Sequence, residues 1–378
     1  MKKYLFSAYI LFMFSGCATG DYVSIASAAI SKNPSHAFEV YARNKSIQYV
    51  SHPERLKKDL KFLSNFIDNI SKQWGDKNVK VPKKKEYVKY MQNFKSRALV
   101  DFDRGIVTVE SLDSKKSLKN AIVTTLLLPD DPRGADLFSA KKIKLGATPY
   151  LLGEVKDDQN KNIRYTWRAN RYASLLLKKR YKTKIVNKKK IYFVTIPMVK
   201  DHASVRVKKF KPYVKKYARK FGISENLAYA IIRTESNFNQ FAMSSSGAIG
   251  LMQIVPTSAG RDAYMHVKGK RWTPSKEYLF DAKNNIELGV AYLNIIDKKY
   301  LDGIKNPISR EYCVISAYNT GSGNVLKVFS KNRSKAKSII NSKKPSQIYK
   351  KLRSSLPYEE TRRYLKKVVD FKKDFVRI

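Results

Sequence analysis

The chain has 378 residues, of which 43% are apolar, and a formal net charge of +45. This length favours two domains, and the apolar content, with 24 Tyr and 18 Phe, excludes a chain that is disordered throughout. The charge favours a polyanionic partner such as nucleic acid, anionic lipid or an acidic cell-wall polymer, although scattered, solvated lysines explain it equally well.

The N-terminus resembles a bacterial lipoprotein signal. Two lysines precede an apolar run from Tyr4 to Phe14, which is too short to span a bilayer. Two small residues and then Cys17 follow, and in such signals this Cys carries the lipid. We predict a signal peptide over 1–16, a lipid anchor on Cys17 and a membrane tether over 17–45. Ala18, in place of Asp, indicates the outer membrane, facing the periplasm. An ordinary cleaved signal with an incidental Cys is the alternative.

Residues 46 to 199 have the mixed pattern of an α+β domain. Apolar residues at helical spacing predict helices over 52–75, 117–128 and 169–180. Alternating patterns predict a β-hairpin over 96–112 and further strands at 150–155, 163–167 and 191–196.

Residues 200 to 378 predict a second, all-α domain. Pro197 marks the change, and from Phe210 the apolar spacing is helical almost throughout. Ser224 is a candidate cap for a helix that begins at Glu225, and Asp281 is a candidate cap for a later helix.

The cysteines and histidines give no sign of metal or thiol chemistry. Cys313 is the one cysteine besides Cys17, and it lies in an apolar run where a free Cys behaves as a small buried residue. The four histidines are scattered, without the spacing of metal ligands. We therefore expect no disulfide, no metal and no cofactor.

Glu235 is the one carboxylate between Arg233 and Gly260. It ends a predicted helix and shares a face with Ala228 and Ile231, the face that a small helical domain buries. Burial and the negative end of the helix dipole both disfavour the ionised carboxylate. The pattern predicts a glutamate that holds a proton near neutral pH, as a general acid must. A hydrogen-bonded Glu at a helix end, without chemistry, is the alternative.

Four motifs, in order, resemble those of the lytic murein transglycosylases. They are Thr234-Glu235-Ser236 with Phe238 and Asn239, Gly250-Leu251-Met252-Gln253, Ala317-Tyr318-Asn319, and Tyr364. That family has a lysozyme-like α fold similar to goose-type lysozyme. The N-terminal domain also resembles that of a membrane-bound branch of the family, through Gln73-Trp74-Gly75 and residues 86–90. Two positions depart from the pattern, Gln240 where Pro is common and Thr320 where Ala or Gly is.

The resemblance implies cleavage of the β-1,4 bond between N-acetylmuramic acid and N-acetylglucosamine in peptidoglycan. One glutamate, matched by Glu235, acts first as acid and then as base, and the product is a 1,6-anhydromuramoyl end formed without water. A lone carboxylate suits this reaction, because hydrolytic glycosidases generally use two. The resemblance also implies these substrate-binding residues: Ser244, Met252, Gln253, Tyr318, Asn319 and Tyr364.

Other functional classes explain the sequence less well. A nucleic-acid binder matches the charge, but the chain has neither a phosphate loop nor a recognisable nucleic-acid fold. A serine hydrolase lacks its Gly-x-Ser-x-Gly motif. The remaining alternative is a non-catalytic peptidoglycan-binding envelope lipoprotein. We expect peptidoglycan strands as the partner, a membrane reached through the lipid on Cys17, and neither nucleic acid nor metal.

Overall fold

The computed structural model describes residues 65–130, 140, 142–143, 145, 148–244 and 246–375. The predicted signal peptide, Cys17 and the tether lie outside these residues. The chain forms two compact units. Of the described residues, the first unit contains those up to Arg206 with those in 239–256 and 275–281, and the second contains those in 207–238, 257–274 and from Ala282 onward. The predicted single domain boundary between 199 and 200 stays a prediction.

The strands and helices of the described residues are numbered here in chain order. The strands are β1 (Glu86–Met91), β2 (Ser96–Asp101), β3 (Ile106–Ser111), β4 (Lys182–Val186) and β5 (Lys189–Pro197). The helices are α1 (65–74), α2 (Lys115–Leu126), α3 (Thr166–Lys179), α4 (His202–Phe221), α5 (Glu225–Ser236), α6 (Arg261–Lys268), α7 (Lys276–Phe280), α8 (Ala282–Ile295), α9 (Pro307–Thr320), α10 (Ser322–Lys327), α11 (Arg333–Asn341), α12 (Pro345–Ser355) and α13 (Glu359–Asp374).

The first unit contains an antiparallel sheet with strand order β1-β2-β3-β5-β4. The predicted hairpin is confirmed as β2 and β3, in which Val100 pairs with Val107. Gly105 in their turn has φ +64°, and a Cβ there would lie 2.6 Å from the imidazole of His202, so glycine is required on both counts. Helix α2 packs across β2, β3 and β5, and α3 packs on α2.

Two of the predicted strands in the first unit are wrong. Residues 150–155 form turns with isolated bridges, and α3 already begins at Thr166, within the stretch predicted as the strand 163–167. Tyr150, Val155 and Ile163 are buried, so their apolar character reflects burial of turns and not strand pairing. The strand predicted over 191–196 is confirmed within β5, and residues 65–74 of the first predicted helix are helical.

The second unit is helical in the described residues, as predicted. Helix α5 packs against α13, and α13 also packs against α9 and α12. Helix α5 begins at Glu225 as expected, but Ser224 caps it only by position, because its hydroxyl makes no capping hydrogen bond. Helix α8 begins at Ala282, directly after Asp281. The succession of an α+β part and a helical part is confirmed.

Candidate active site

Glu235 lies in the last turn of α5 and is 6% exposed. The adjacent hydroxyls are turned back onto their own helix, Thr234 donating to the carbonyl of Ala230 at 2.7 Å and Ser236 to that of Ile232 at 3.1 Å. The helix ends at Asn237, whose backbone is left-handed with φ 49°. The sequence therefore places the carboxylate correctly, at a buried helix end.

Two tyrosines of the second unit share the environment of Glu235. Tyr364 on α13 is buried, and its pKa is raised by burial first and then by the charge of Glu235. Burial of its phenol also raises the pKa of Tyr318 on α9, and the charge of Glu235 adds to this. Both phenols therefore stay protonated at physiological pH and are able to donate a hydrogen bond. The structure thus brings together three of the predicted site residues.

Asn319, the next predicted residue on α9, is tied to α13. Its side-chain oxygen accepts a hydrogen bond from the hydroxyl of Thr361 at 2.6 Å, and Thr361 is 1% exposed. Thr361 lies three residues before Tyr364, so the two share a face of α13. Sequence reasoning missed Thr361, although this spacing was a usable signal.

A further tyrosine missed by sequence reasoning packs on this group. Tyr292 of α8 lies edge-on against Tyr318, with ring centroids 5.9 Å apart. Burial first, and then Tyr300 and Asp262, raise the pKa of Tyr292 to about 12. In the sequence it is one aromatic residue within an apolar helix, and nothing distinguishes it from a core residue.

The other predicted site residues belong to the first unit and are described there by themselves. The hydroxyl of Ser244 accepts hydrogen bonds from the backbone N–H groups of Ser246 at 3.3 Å and Ala248 at 3.0 Å, so it organises a tight turn. Met252 is fully buried. Their proposed contacts with substrate stay predictions.

Gln253 closes the same loop through its side-chain amide. The amide nitrogen donates to the carbonyls of Ala242 at 3.2 Å and Gly250 at 3.0 Å. The residue itself adopts a left-handed backbone with φ 48°, and Gly250 has φ 78°. The amide oxygen has no hydrogen-bond partner among the residues that the structure describes. These hydrogen bonds therefore hold the loop in place, and the amide oxygen of Gln253 remains as an acceptor.

Glu287 is a second buried acid of the second unit, and two lysines bind it. Its two oxygens accept hydrogen bonds from Lys220 and Lys268, each at 3.0 Å. Burial raises the pKa of Glu287, but these two lysines outweigh it and the net pKa is lowered. An ionised, doubly paired carboxylate is a poor proton donor. No group of three or more His, Cys, Asp or Glu side chains suited to a metal occurs in the described part of the chain.

Comparison with known proteins gives matches along most of the chain. Residues 49–209 match the family model of the membrane-bound lytic murein transglycosylase C N-terminal domain, and residues 212–341 match that of the transglycosylase SLT domain. Membrane-bound lytic murein transglycosylases C of Yersinia enterocolitica and Yersinia pestis are each 42% identical over 319 residues, covering 83% of this chain and 89% of theirs. The 70 kDa soluble lytic transglycosylase of Escherichia coli is 26% identical, with a TM-score of 0.33, over 43% of this chain and 23% of that one.

The helical unit with its buried glutamate and the SLT match define a lytic transglycosylase. The chain belongs to the family of membrane-bound lytic murein transglycosylase C. The predicted resemblance is confirmed, and the chain is an enzyme that cleaves peptidoglycan.

Proposed function

We propose that Glu235 alone performs the acid and base steps of a lytic transglycosylase reaction. The observation that carries the proposal is a carboxylate, 6% exposed, beside two tyrosines that remain neutral donors. Burial favours the protonated carboxyl, whereas hydrogen bonds donated to it favour the carboxylate. A group under both influences is suited to exist in each protonation state during one turnover.

In the first step, Glu235 donates its proton to the oxygen of the glycosidic bond between N-acetylmuramic acid and N-acetylglucosamine. The bond from the muramoyl anomeric carbon to that oxygen breaks, and N-acetylglucosamine leaves as an alcohol. In the second step, the 6-hydroxyl of the muramoyl residue attacks the anomeric carbon and gives its proton to Glu235. The product is a 1,6-anhydromuramoyl end, and the glutamic acid is regenerated without water.

The proposed substrate-binding residues divide by their chemistry. Tyr364 and Tyr318 are proposed as donors to Glu235 once it is ionised, so that they steady the carboxylate after proton transfer. Asn319 presents an amide beside them, held by Thr361. Ser244 and Gln253 are proposed as polar contacts to the sugar, with Met252 as packing beneath it.

We also propose that the enzyme is a lipoprotein, with acyl chains on Cys17, at the periplasmic face of the outer membrane. The support is the lysine-apolar-Cys pattern with Ala18 after the Cys, and the name of the curated relatives, which calls them membrane-bound. Among the described residues, no helix is long and apolar enough to cross a bilayer.

The test is product analysis with the purified full chain in detergent. Wild-type protein incubated with peptidoglycan sacculi should release muropeptides that carry anhydromuramoyl ends, as measured by mass spectrometry. Glu235→Gln keeps the size of the side chain but has no proton to donate, so the initial rate should fall by at least about 100-fold. Its thermal unfolding midpoint should match that of the wild type.

Two outcomes would contradict the proposal. Products with ordinary reducing ends would show that water attacks, and a second carboxylate would then be required. Binding to sacculi without release by the wild type would favour the non-catalytic peptidoglycan-binding alternative.

A further inference from the structure

The second unit contains a long acid-free segment. Between Tyr312 and Tyr358 the sequence has ten Lys and Arg residues and no Asp or Glu. This segment includes the end of α9 and all of α10, α11 and α12. The segment therefore has no carboxylate of its own to neutralise these cations.

Most of these cations are exposed. The exposed ones are Lys327, Lys331, Arg333, Lys335, Lys343, Lys344, Lys350 and Lys351. Among the described residues, one ion pair involves the segment, that of Lys337 with Asp302 at 2.5 Å. The apolar side chains of α11 and α12, such as Ala336 and Ile348, are buried, so the packing of these helices leaves their cations in solvent.

Cations elsewhere in the second unit are paired much more often. Helix α13 directly after the segment carries ion pairs within itself, such as Lys366 with Asp370 at 2.5 Å. Arg310, just before the segment, pairs with Asp297 at 2.9 Å. The exposed cations of α10 to α12 are therefore less compensated than those of α9 and α13, whereas α4 carries further exposed cations such as Lys215.

The helices of this segment pack on those that carry the active-site tyrosines. Helix α10 packs against α9, which ends just after Tyr318 and Asn319, and α12 packs against both α9 and α13. Helix α11 packs against α10. The helices that carry the exposed cations therefore belong to the same packed group as the helices that carry Tyr318 and Tyr364.

We propose that the eight exposed cations of α10, α11, α12 and the residues that connect them, here called the basic helical surface, bind the carboxylates of the stem peptides that branch from peptidoglycan. The inference rests on the proposed function, since it takes the glycan strand as the substrate. Each muramoyl residue bears a short peptide with free carboxyl groups, so an uncleaved strand presents a repeating row of negative charges. The repeating charges and a surface with eight unneutralised cations are complementary, and several weak contacts act together.

The alternative partner, an anionic membrane, fits this surface less well. Segments that lie on membranes combine cations with exposed aromatic or large aliphatic side chains that enter the lipid. Of the large apolar side chains that are exposed in the described residues, Tyr358 at its very end is the one that belongs to this segment. A surface with cations and few apolar groups favours soluble carboxylates.

The experiment compares two variants of the full chain with equal net charge. The first replaces Lys331, Lys335, Lys343 and Lys350 by Gln. The control replaces Lys178, Lys179, Lys182 and Lys188 by Gln, four exposed lysines of the first unit. Both are measured on intact sacculi and on glycan strands stripped of peptides by an amidase. Binding is measured separately by sedimentation with sacculi in a Glu235→Gln background, so that it does not depend on turnover.

We expect the first variant to raise KM on intact sacculi about fivefold to tenfold with kcat unchanged, and the control to change KM less than twofold. On peptide-free strands the two should behave alike, and added salt should abolish the difference on sacculi because it screens exposed charges. Equal effects of both variants on intact sacculi would overturn the proposal, and so would a loss of the first variant on peptide-free strands as large as its loss on sacculi. So would loss of sedimentation with phosphatidylglycerol vesicles while sacculus binding is kept, since lipid would then be the partner.

These results are separable from a failure of the proposed function. If the wild type forms no anhydromuramoyl products, the single-acid reaction is wrong. The sedimentation comparison in the Glu235→Gln background still decides whether the basic helical surface binds stem peptides.

Discussion

Tyr364 is the side chain that links the chemistry of Glu235 most directly to the packing of the helices. Its phenol is buried, so it loses its proton only far above physiological pH. A donor that never ionises stabilises Glu235 specifically when the carboxylate is negative, which is after the first proton transfer. Removal of the hydroxyl should therefore slow the chemistry and leave ground-state binding of the glycan largely unchanged.

Tyr364→Phe tests this at the residue scale. A hydrogen bond to a charged group contributes about 1.5–3 kcal/mol, so kcat should fall about tenfold to hundredfold with little change in KM. Release of anhydromuramoyl products gives both constants. Tyr229→Phe is the matched control, because Tyr229 is also buried but its pKa, raised to about 12, responds to burial and Glu225 and not to Glu235. Similar kcat values for the two variants would refute the role given to Tyr364.

At this scale the sequence predicted the residues that carry a local signal. The burial of Glu235 follows from helical spacing, and Tyr318 and Tyr364 follow from the family motifs. Thr361 and Tyr292 were missed because their roles depend on which helices pack together, and a single helix does not show this. For Met252 and Gln253, the structure shows burial and hydrogen bonds that hold their own loop, which no spacing rule predicts.

At the scale of secondary-structure elements, the contact between α9 and α13 positions the side chains of the candidate site. Asn319 and Thr361 form a hydrogen bond between the two helices, and both residues lie close to the tyrosines in sequence. A buried bond of this kind restricts rotation of the Asn319 amide. Loss of this hydrogen bond should reduce the activity more than it disturbs the packing of the two helices.

Thr361→Val removes the hydroxyl but keeps the shape of the side chain. The net contribution of such a bond is about 1 kcal/mol, which corresponds to a decrease of about fivefold in kcat/KM. Thr361→Ser keeps the hydroxyl and should remain within about twofold of the wild type. Initial rates at low sacculus concentration measure the effect. If valine were as active as serine, Asn319 would need no partner on α13.

Another element-scale feature is Asp157, which organises the turn before α3. Its carboxylate accepts hydrogen bonds from the backbone of Gln159 and Lys161 and pairs with Arg168 and Arg171. Burial raises the pKa of Asp157, but these bonds outweigh it and lower the pKa to about 2. A lowered folded-state pKa stabilises the folded protein above the ordinary value of 3.8, and this stabilisation is lost as the pH falls towards 2.

Asp157→Asn should therefore lower the free energy of unfolding at pH 7, by about 1 kcal/mol once the partial exposure of Arg171 is considered. The difference from the wild type should shrink below pH 4 and vanish near pH 2. Urea unfolding followed by tryptophan fluorescence, repeated across this pH range, measures it. Asp158→Asn is the control, with a smaller expected effect because Asp158 is more exposed. A difference that is independent of pH would show that the carboxylate charge is not responsible.

The sequence predicted the elements with clear periodicity and failed on those without it. Helix α2 has apolar residues at helical spacing, and the hairpin of β2 and β3 has the alternating pattern of strands. Strand β1 was missed because five of its six residues are buried, so it does not alternate. Strand β4 was missed because it is short, mostly exposed and rich in lysine, which are features of an edge strand.

At the scale of the whole molecule, the net charge and the proposed lipid anchor both affect where the enzyme is located. The chain has 76 Lys and Arg against 31 Asp and Glu, so a net charge of +45 remains even if every carboxylate pairs with one cation. Some carboxylates take two, as Glu110 does with Arg97 and Lys184, each at 2.6 Å. The uncompensated charge favours residence beside an anionic polymer or leaflet, and a lipid on Cys17 would hold the enzyme there.

The chain's two cysteines allow the anchor to be tested with an internal control. Cys313 is fully buried, and burial raises the pKa of its thiol to about 12, so it is not a reactive acceptor. In bacteria fed labelled palmitate, the wild type and Cys313→Ala should both incorporate label and sediment with the outer membrane. Cys17→Ser should lose the label, because the hydroxyl does not replace the thiol in lipidation. Label that is absent from the wild type would favour the ordinary cleaved signal and leave the positive charge alone to retain the enzyme at the wall, and label that persists in Cys17→Ser would show that another residue carries the lipid.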